Sequence, residues 1–299
     1  MFLRPNKFYI RTLKTNWWKN FLSLVAYGCG LGGILLPFIQ KISISYSLIL
    51  IIVLIFIITA SFLFAIPNCY RKFRIVGTGG NAIELVIGDM LSDSNDMVIP
   101  SNNYFDTSWS IISRRSIQGQ LAIKKYFTLS QLDKVIDKAI AKAGINGTYN
   151  ESKNMGKNIE YPIHSIITIQ ENDRADSQRF YWVAMTSFSE KGEIIKEHVK
   201  IHASLMHLWE HLRKHVHVRN LCIPVLGTGL TPTSVSQFDV IEVIVDTFLT
   251  AITKSRIVDT LRIYLYDKGE DTYSTFHLAS LYIQHRIENL PATELKHKF

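Results

Sequence analysis

The stretch Ile83-Glu84-Leu85-Val86-Ile87-Gly88-Asp89 decides how this chain is read. Branched and apolar residues run to a glycine and stop at an acid. That is a short buried strand whose carboxyl end turns sharply. Two later stretches share the design. Val98-Ile99-Pro100-Ser101-Asn102-Asn103 ends a strand in small and amide residues, and Leu221-Cys222-Ile223-Pro224-Val225-Leu226-Gly227-Thr228-Gly229-Leu230 runs a strand into a glycine loop. In sheets with helical crossovers, ligands bind beyond the carboxyl ends of strands. Glycines there let backbone N–H groups approach a phosphate, and a helix N-terminus adds a favourable dipole.

Outward from these stretches, strands alternate with helices. Strands are expected at 83–87, 96–99 (stopped by Pro100), 163–169, 180–186, 220–225 and 261–266. Helices are expected at 130–143 (closed by Gly144), 193–216, 238–254 and 272–286, with a polar loop over 145–159. The pattern predicts an α/β domain with a largely parallel or mixed sheet.

Upstream the composition changes. Residues 21–66 contain one charge, Lys41. They divide into runs at 21–39 and 46–66, each about the length that spans the roughly 30 Å hydrocarbon core. A two-helix transmembrane hairpin turning at 40–45 is expected. A secretory leader is the rival reading, but the first run is long for one and a second follows at once. Nine of the 33 basic residues lie before residue 81, where no acid occurs. Beyond it 24 basic residues face 25 acidic ones, so the net charge of +8 belongs to the membrane segment and no nucleic-acid partner is expected. Basic residues flank both runs, which places both termini and the following domain on the cytoplasmic side. Trp17, Trp18 and Tyr70 stand at interfacial positions. Three scattered cysteines give no disulfide framework. Gly28 and Gly32 form a GxxxG face for packing on the second span or between protomers. The expected organisation is a basic arm at 1–20, the hairpin at 21–66, a linker at 67–80, the α/β domain at 81–285 and a tail at 286–299.

The three strand ends, in this order, resemble the macro domain, an ADP-ribose-binding fold, over about 81–285. The resemblance implies Asp89 on the adenine, Asn103 near the distal ribose, and Leu226, Gly227, Thr228, Gly229 and Leu230 around the diphosphate. Tyr161-Pro162-Ile163 before a strand also fits. Two departures stand out. The usual Asn-Ala-Ala-Asn is here Pro100-Ser101-Asn102-Asn103, and the triple-glycine loop is replaced by Ser116-Ile117-Gln118-Gly119-Gln120. Hydrolytic members use those parts to place a water, so binding without turnover is expected. Ser116, Gln118 and Gln120 become candidates to meet the ligand's distal part.

A two-span hairpin joined to such a domain is similar to the membrane–macro effector of type II Thoeris anti-phage defence. That resemblance implies a bacterial inner-membrane protein with no cofactor. Its ligand would be an ADP-ribose derivative, histidine-conjugated and made from NAD by a TIR-domain partner. Ligand binding would drive homo-oligomerisation and disruption of the lipid bilayer. The alternatives are a membrane-anchored ADP-ribosyl hydrolase and a scaffold that binds no nucleotide.

Each residue also has a plainer reading. Asp89 can cap a turn, Asn103 can be a turn residue, and Gly227 and Gly229 can form a tight strand-to-helix connection capped by Thr231, Thr233 or Ser234. His207-Leu208-Trp209-Glu210-His211 matches H-x-x-E-H. Four further histidines in this region, His198, His202, His215 and His217, and amphipathic spacing favour a helix packed through Leu205, Leu208, Trp209 and Leu212, and no metal is expected. Lys134, Lys138 and Lys142 form a solvated stripe, with anionic lipid as an alternative contact.

Overall fold

The computed structural model describes residues 17–26, 46–65, 69–76, 80–126, 128–171, 177–188, 194–195, 199–215, 218–225, 236–267 and 270–290. The chain divides into two compact units, Met1–Cys69 with Asp267–Ser274, and Tyr70–Tyr266 with Thr275–Phe299.

In the first unit, residues 17–26 form a helix, α1. Trp17 stacks on Phe21 at 5.6 Å and Trp18 on Phe21 at 5.7 Å. Helix α2, Tyr46–Ala65, is unbroken for 20 residues, about 30 Å. Over its described side chains, 52–61, Ile52, Val53, Leu54, Ile55, Phe56 and Ile58 are all exposed. Thr59 and Ser61 donate back to the carbonyls of Ile55 and Ile57, so neither hydroxyl needs water. Among the described residues, no helix is long and apolar enough to cross a membrane. Most of the first expected span, 27–39, and the turn at 40–45 lie outside the described residues.

The second unit is built on strands β1 (Tyr70–Arg74), β2 (Ala82–Ile87), β3 (Asp96–Asn102), β6 (Ile166–Gln170), β7 (Arg179–Phe188), β9 (Val218–Pro224) and β10 (Val258–Leu265), with short β8 (Ile194–Ile195) beside β7. Their order is β1-β2-β10-β9-β3-β7-β6. The five central strands are parallel, and β1 and β6 close the edges antiparallel. Parallel strands are buried on both faces, and Ile83, Leu85, Val98, Ile99, Leu221, Ile223 and Ile263 are fully buried. A separate ribbon pairs β4 (Thr148–Tyr149) with β5 (Ile159–Glu160).

Helices α3 (Ile117–Lys125) and α4 (Leu129–Ala143) bury Leu121, Leu132 and Ile136 with Met97, Ile99, Phe180 and Trp182. Helix α5 (Val199–His215) covers the other face of β7, where His211 meets Tyr181 edge-on. Helix α6 (Gln237–Lys254) packs on α5 through Trp209 and Phe248, 5.4 Å apart. Helix α7 (Glu270–Glu288) follows β10.

Several expected boundaries move. Strand β3 runs through Pro100 to Asn102, because β9 pairs only with Asp96 and Met97. Beyond them one edge of β3 carries no ladder, and proline is tolerated there. Helix α5 begins at Val199 rather than 193, with β8 preceding it. Residues 116–120, set in place of the triple-glycine loop, are the cap and first turn of α3. Residues 70–74, read as linker, are edge strand β1. The polar stretch 145–159 supplies the β4–β5 ribbon.

Candidate functional site

The parallel strands bring the carboxyl ends of β2, β10, β9 and β3 to one edge in that spatial order. Asp89 follows β2 and Asn103 follows β3. Three inter-strand spacings separate the two strands, about 14 Å. The segment after β9, including Leu226, Gly227, Thr228, Gly229 and Leu230, lies outside the described residues. Its point of departure is set: the N–H of Val225 donates to Tyr264 O at 3.0 Å, holding the end of β9 on β10.

Asp89 is positioned by its neighbour, since the N–H of Gly88 donates to Leu265 O at 3.0 Å. Asp89 Oδ1 accepts the N–H of Leu91 at 3.0 Å and so caps the 3-10 turn Met90–Ser92. Its Oδ2 lies 3.6 Å from Lys124 Nζ, and the side chain is about half exposed. The carboxylate therefore does the turn-capping job and still presents an oxygen to solvent.

The turn is anchored by a polar cluster that sequence reading missed. Asp93 closes it, its N–H donating to Met90 O. Asp93 Oδ2 accepts from Arg262 Nη1 at 2.5 Å and from the Tyr264 hydroxyl at 2.7 Å, while Oδ1 accepts the N–H of Asn95 at 3.0 Å. Arg262 Nε donates to Glu84 at 2.7 Å, and Lys72 holds the other Glu84 oxygen at 3.0 Å. Burial alone raises the Asp93 pKa, but its donors outweigh burial and bring it to about 2. Burial and the Asp93 carboxylate push the Tyr264 hydroxyl well up, keeping it protonated as a donor. The cluster draws one residue each from β1, β2 and the turn, and two from β10. No local motif announces it; Glu84 inside an apolar strand was the one visible sign.

Asn103 is buried. Its N–H donates to Thr186 O at 2.9 Å and its carbonyl accepts the N–H of Tyr161 at 2.8 Å. Its Nδ2 donates to Glu160 Oε1 at 2.9 Å, and its Oδ1 is buried with no partner. The chain beyond stays buried as an irregular turn. Asn102 Oδ1 accepts from the amides of Tyr104 and Asp106, and Phe105 takes a positive φ of 49°. Asp106, fully buried, is held by Lys153 Nζ at 3.0 Å and by the amide of Lys157 at 2.6 Å.

Of Ser116, Gln118 and Gln120, Gln118 reaches this turn, and all three are committed locally. Ser116 Oγ caps α3 by accepting the N–H of Gly119 at 3.1 Å. Gln118 is buried and donates to the carbonyl of Asp106. Gln120 Nε2 donates to Arg115 O at 2.7 Å. Gly119 is required, because a Cβ there would stand 2.2 Å from Ser113 O. Sequence reading passed over Glu160, which accepts from Asn103 Nδ2 and from the Tyr104 hydroxyl, and Asn150, which donates to that hydroxyl. Glu160 beside Tyr161-Pro162 was the available hint.

The H-x-x-E-H residues have separate partners. His207 stacks on His164 at 5.1 Å, His211 Nε2 meets Thr168 Oγ1 at 3.2 Å, and Glu210 is paired with Arg213 and Lys214. Leu205, Leu208, Trp209 and Leu212 are buried, as helical packing required.

The family described as "Thoeris protein ThsA, Macro domain" matches residues 83–266. Thoeris protein ThsA of Bacillus amyloliquefaciens (strain Y2) is 24% identical over 209 residues, 67% of each chain. Among solved structures, the Oceanobacillus iheyensis macrodomain with ADP aligns at a TM-score of 0.49 and 12% identity, covering 73% of this chain and 100% of that one. The same macrodomain with MES bound aligns at 0.49 and 12%, covering 73% and 98%. The family match spans more than half of the sequence and takes in β2, β3, β9 and β10, whose ends form the edge described above; the chain belongs to the Thoeris ThsA macro-domain family.

Proposed function

We propose that this chain is a membrane-anchored, ligand-gated effector of anti-phage defence whose macro domain binds an ADP-ribose derivative. Asp89 reads the adenine, the segment 226–230 lies along the diphosphate, and Asn103 stands at the distal ribose. The observation that carries this reading is the shared sheet edge: β2 and β3 place Asp89 and Asn103 on either side of the β9 end, at about the separation an extended nucleotide bridges. The ligand is histidine-conjugated ADP-ribose supplied by a TIR-domain partner, and no cofactor takes part. The protein binds rather than hydrolyses it.

The hairpin holds the domain at the cytoplasmic face of the bacterial inner membrane. An exposed apolar surface on α2 with its hydroxyls satisfied internally suits lipid. Ligand binding favours the homo-oligomer only through tighter affinity for the assembled state, and clustered hairpins then disrupt the bilayer. Liposomes carrying the purified protein test this. Leakage is expected to require the nucleotide and to vanish in Asp89→Ala; equal leakage without ligand contradicts gating.

A further inference from the structure

We propose that edge strand β1 and the outer face of α7 form one surface that rests on anionic lipid headgroups. The inference rests on the membrane-anchor reading above and names where the α/β domain touches the bilayer.

Strand β1 carries three bases and no acid in its five residues, Tyr70-Arg71-Lys72-Phe73-Arg74. It pairs with β2 on one side and ends the sheet on the other. Lys72 is committed to Glu84 at 3.0 Å. The two arginines keep their charge uncompensated. Arg71 stands 5.4 Å from the centroid of the Phe73 ring and donates to the neutral amide oxygen of Gln284 at 3.4 Å. Arg74 is exposed. Among the described residues no acid pairs with either guanidinium. Such a row of like charges wards off a further strand, and guanidinium groups suit phosphate.

The second observation is independent. The bond from Arg71 to Gln284 places α7 beside β1. Residues three apart are neighbours on a helix surface, so Leu281 adjoins Gln284 and Leu278 adjoins Leu281. These leucines are 52% and 53% exposed, and Tyr70 at the head of β1 is 49% exposed. Arginines, a tyrosine and leucines side by side suit the headgroup boundary, where cations meet phosphates and apolar side chains reach the acyl chains. Chain continuity favours lipid over an acidic protein as the occupant. Only residues 66–69 separate β1 from α2, whose described side chains Ile52, Val53, Leu54, Ile55 and Phe56 are exposed and apolar. With β1 on the headgroups, the strands run along the membrane. The edge carrying Asp89 and Asn103 then opens sideways rather than into lipid.

Hydrogen exchange of the full-length protein in lipid nanodiscs decides it, with discs of phosphatidylcholine alone compared with discs of phosphatidylcholine and phosphatidylglycerol in equal parts. Amides of 70–76 and 278–285 are expected to exchange at least about fivefold more slowly in the anionic discs, a difference that shrinks as salt is raised. Arg71→Gln with Arg74→Gln is expected to abolish the difference. Lys134→Gln with Lys138→Gln is expected to keep it, which separates this surface from the α4 stripe. If the arginine variant melts early, the salt dependence of the wild-type difference decides alone. Equal exchange in both kinds of disc, or a difference that survives the arginine substitutions or high salt, overturns the inference and leaves the anchor intact. Slowing that follows protein density in phosphatidylcholine rather than lipid charge assigns the surface to a second copy and also overturns it. Protein that does not enter the discs overturns both the anchor and this surface.

Discussion

Arg262 Nη1 stands 2.5 Å from Asp93 Oδ2, and through that pair strand β10 holds the turn that begins at Asp89. Arg262 also serves Glu84, so it neutralises two carboxylates that are each largely buried. Replacing it with methionine leaves both without their shared cation, a loss of about 3 kcal/mol for a buried partner removed. Urea unfolding of Arg262→Met is expected to show that fall. A change under about 1 kcal/mol would mean the cluster is not a structural clamp.

The same cluster sets an acid response. The Asp93 pKa lies at about 2, below the ordinary carboxylate value of 3.8. A depressed carboxylate contributes stability that is complete above its unfolded pKa and is lost as pH falls through the folded one. Stability is therefore expected to decline between about pH 4 and pH 2, by about 1–2 kcal/mol from this residue once solvent screening is allowed for. Asp93→Asn should be less stable at neutral pH and flatter across that window. A variant with the wild-type acid slope would assign the response to other groups.

Lys153 and Asp106 form the most buried ion pair described, with side chains 9% and 0% exposed. Lys153→Met is expected to cost about 3–5 kcal/mol, because it leaves the carboxylate uncompensated. Adding Asp106→Leu should recover part of that loss but not all, since the amide of Lys157 loses its acceptor. Double-variant unfolding that simply sums the two single losses would show the pair to be uncoupled.

How much of this was legible beforehand varies by element. The apolar runs of β2, β7, β9 and β10 and the periodicity of α4 and α6 could be read, because burial on both strand faces or along one helix stripe writes itself into sequence. Strand β1, Tyr-Arg-Lys-Phe-Arg, could not: it is an edge strand with one buried side chain, Phe73, and its charges masked it as linker. Helix α3 hid behind Ser116 and Gly119, which look like loop residues and are in fact its cap and its close contact with Ser113. The positions of Asp89 and Asn103 just past strand ends were visible, because strand ends are local signals. Glu160 and Arg262 were not, since their partners lie 57 and 178 residues away in sequence.

Gly119→Ala is expected to disrupt the start of α3. Its Cβ would meet backbone, Ser113 O at 2.2 Å and Arg114 Cα at 2.9 Å, so the helix cap must shift rather than a side chain rotate. A loss of about 2 kcal/mol is expected, read from thermal unfolding. An unchanged melting temperature would refute the close approach.

For the anchor, replacing Ile55 and Phe56 of α2 with lysine should release the protein from membranes. Each lysine near the middle of a span costs about 2.5–3.5 kcal/mol, and both positions are exposed on the helix surface. Carbonate-washed membrane fractions are expected to lose the doubly substituted chain. Retention equal to wild type would mean that α2 is not embedded in lipid.

Calorimetric titration of ADP-ribose into the wild-type protein and into Asp89→Ala tests the central claim most directly. The substitution removes a capping carboxylate, worth about 1 kcal/mol of stability, so the variant is expected to stay folded. The account predicts saturable binding by the wild type and at least a tenfold loss in the variant. Absence of binding by the wild type, or equal affinity in both proteins, would contradict it.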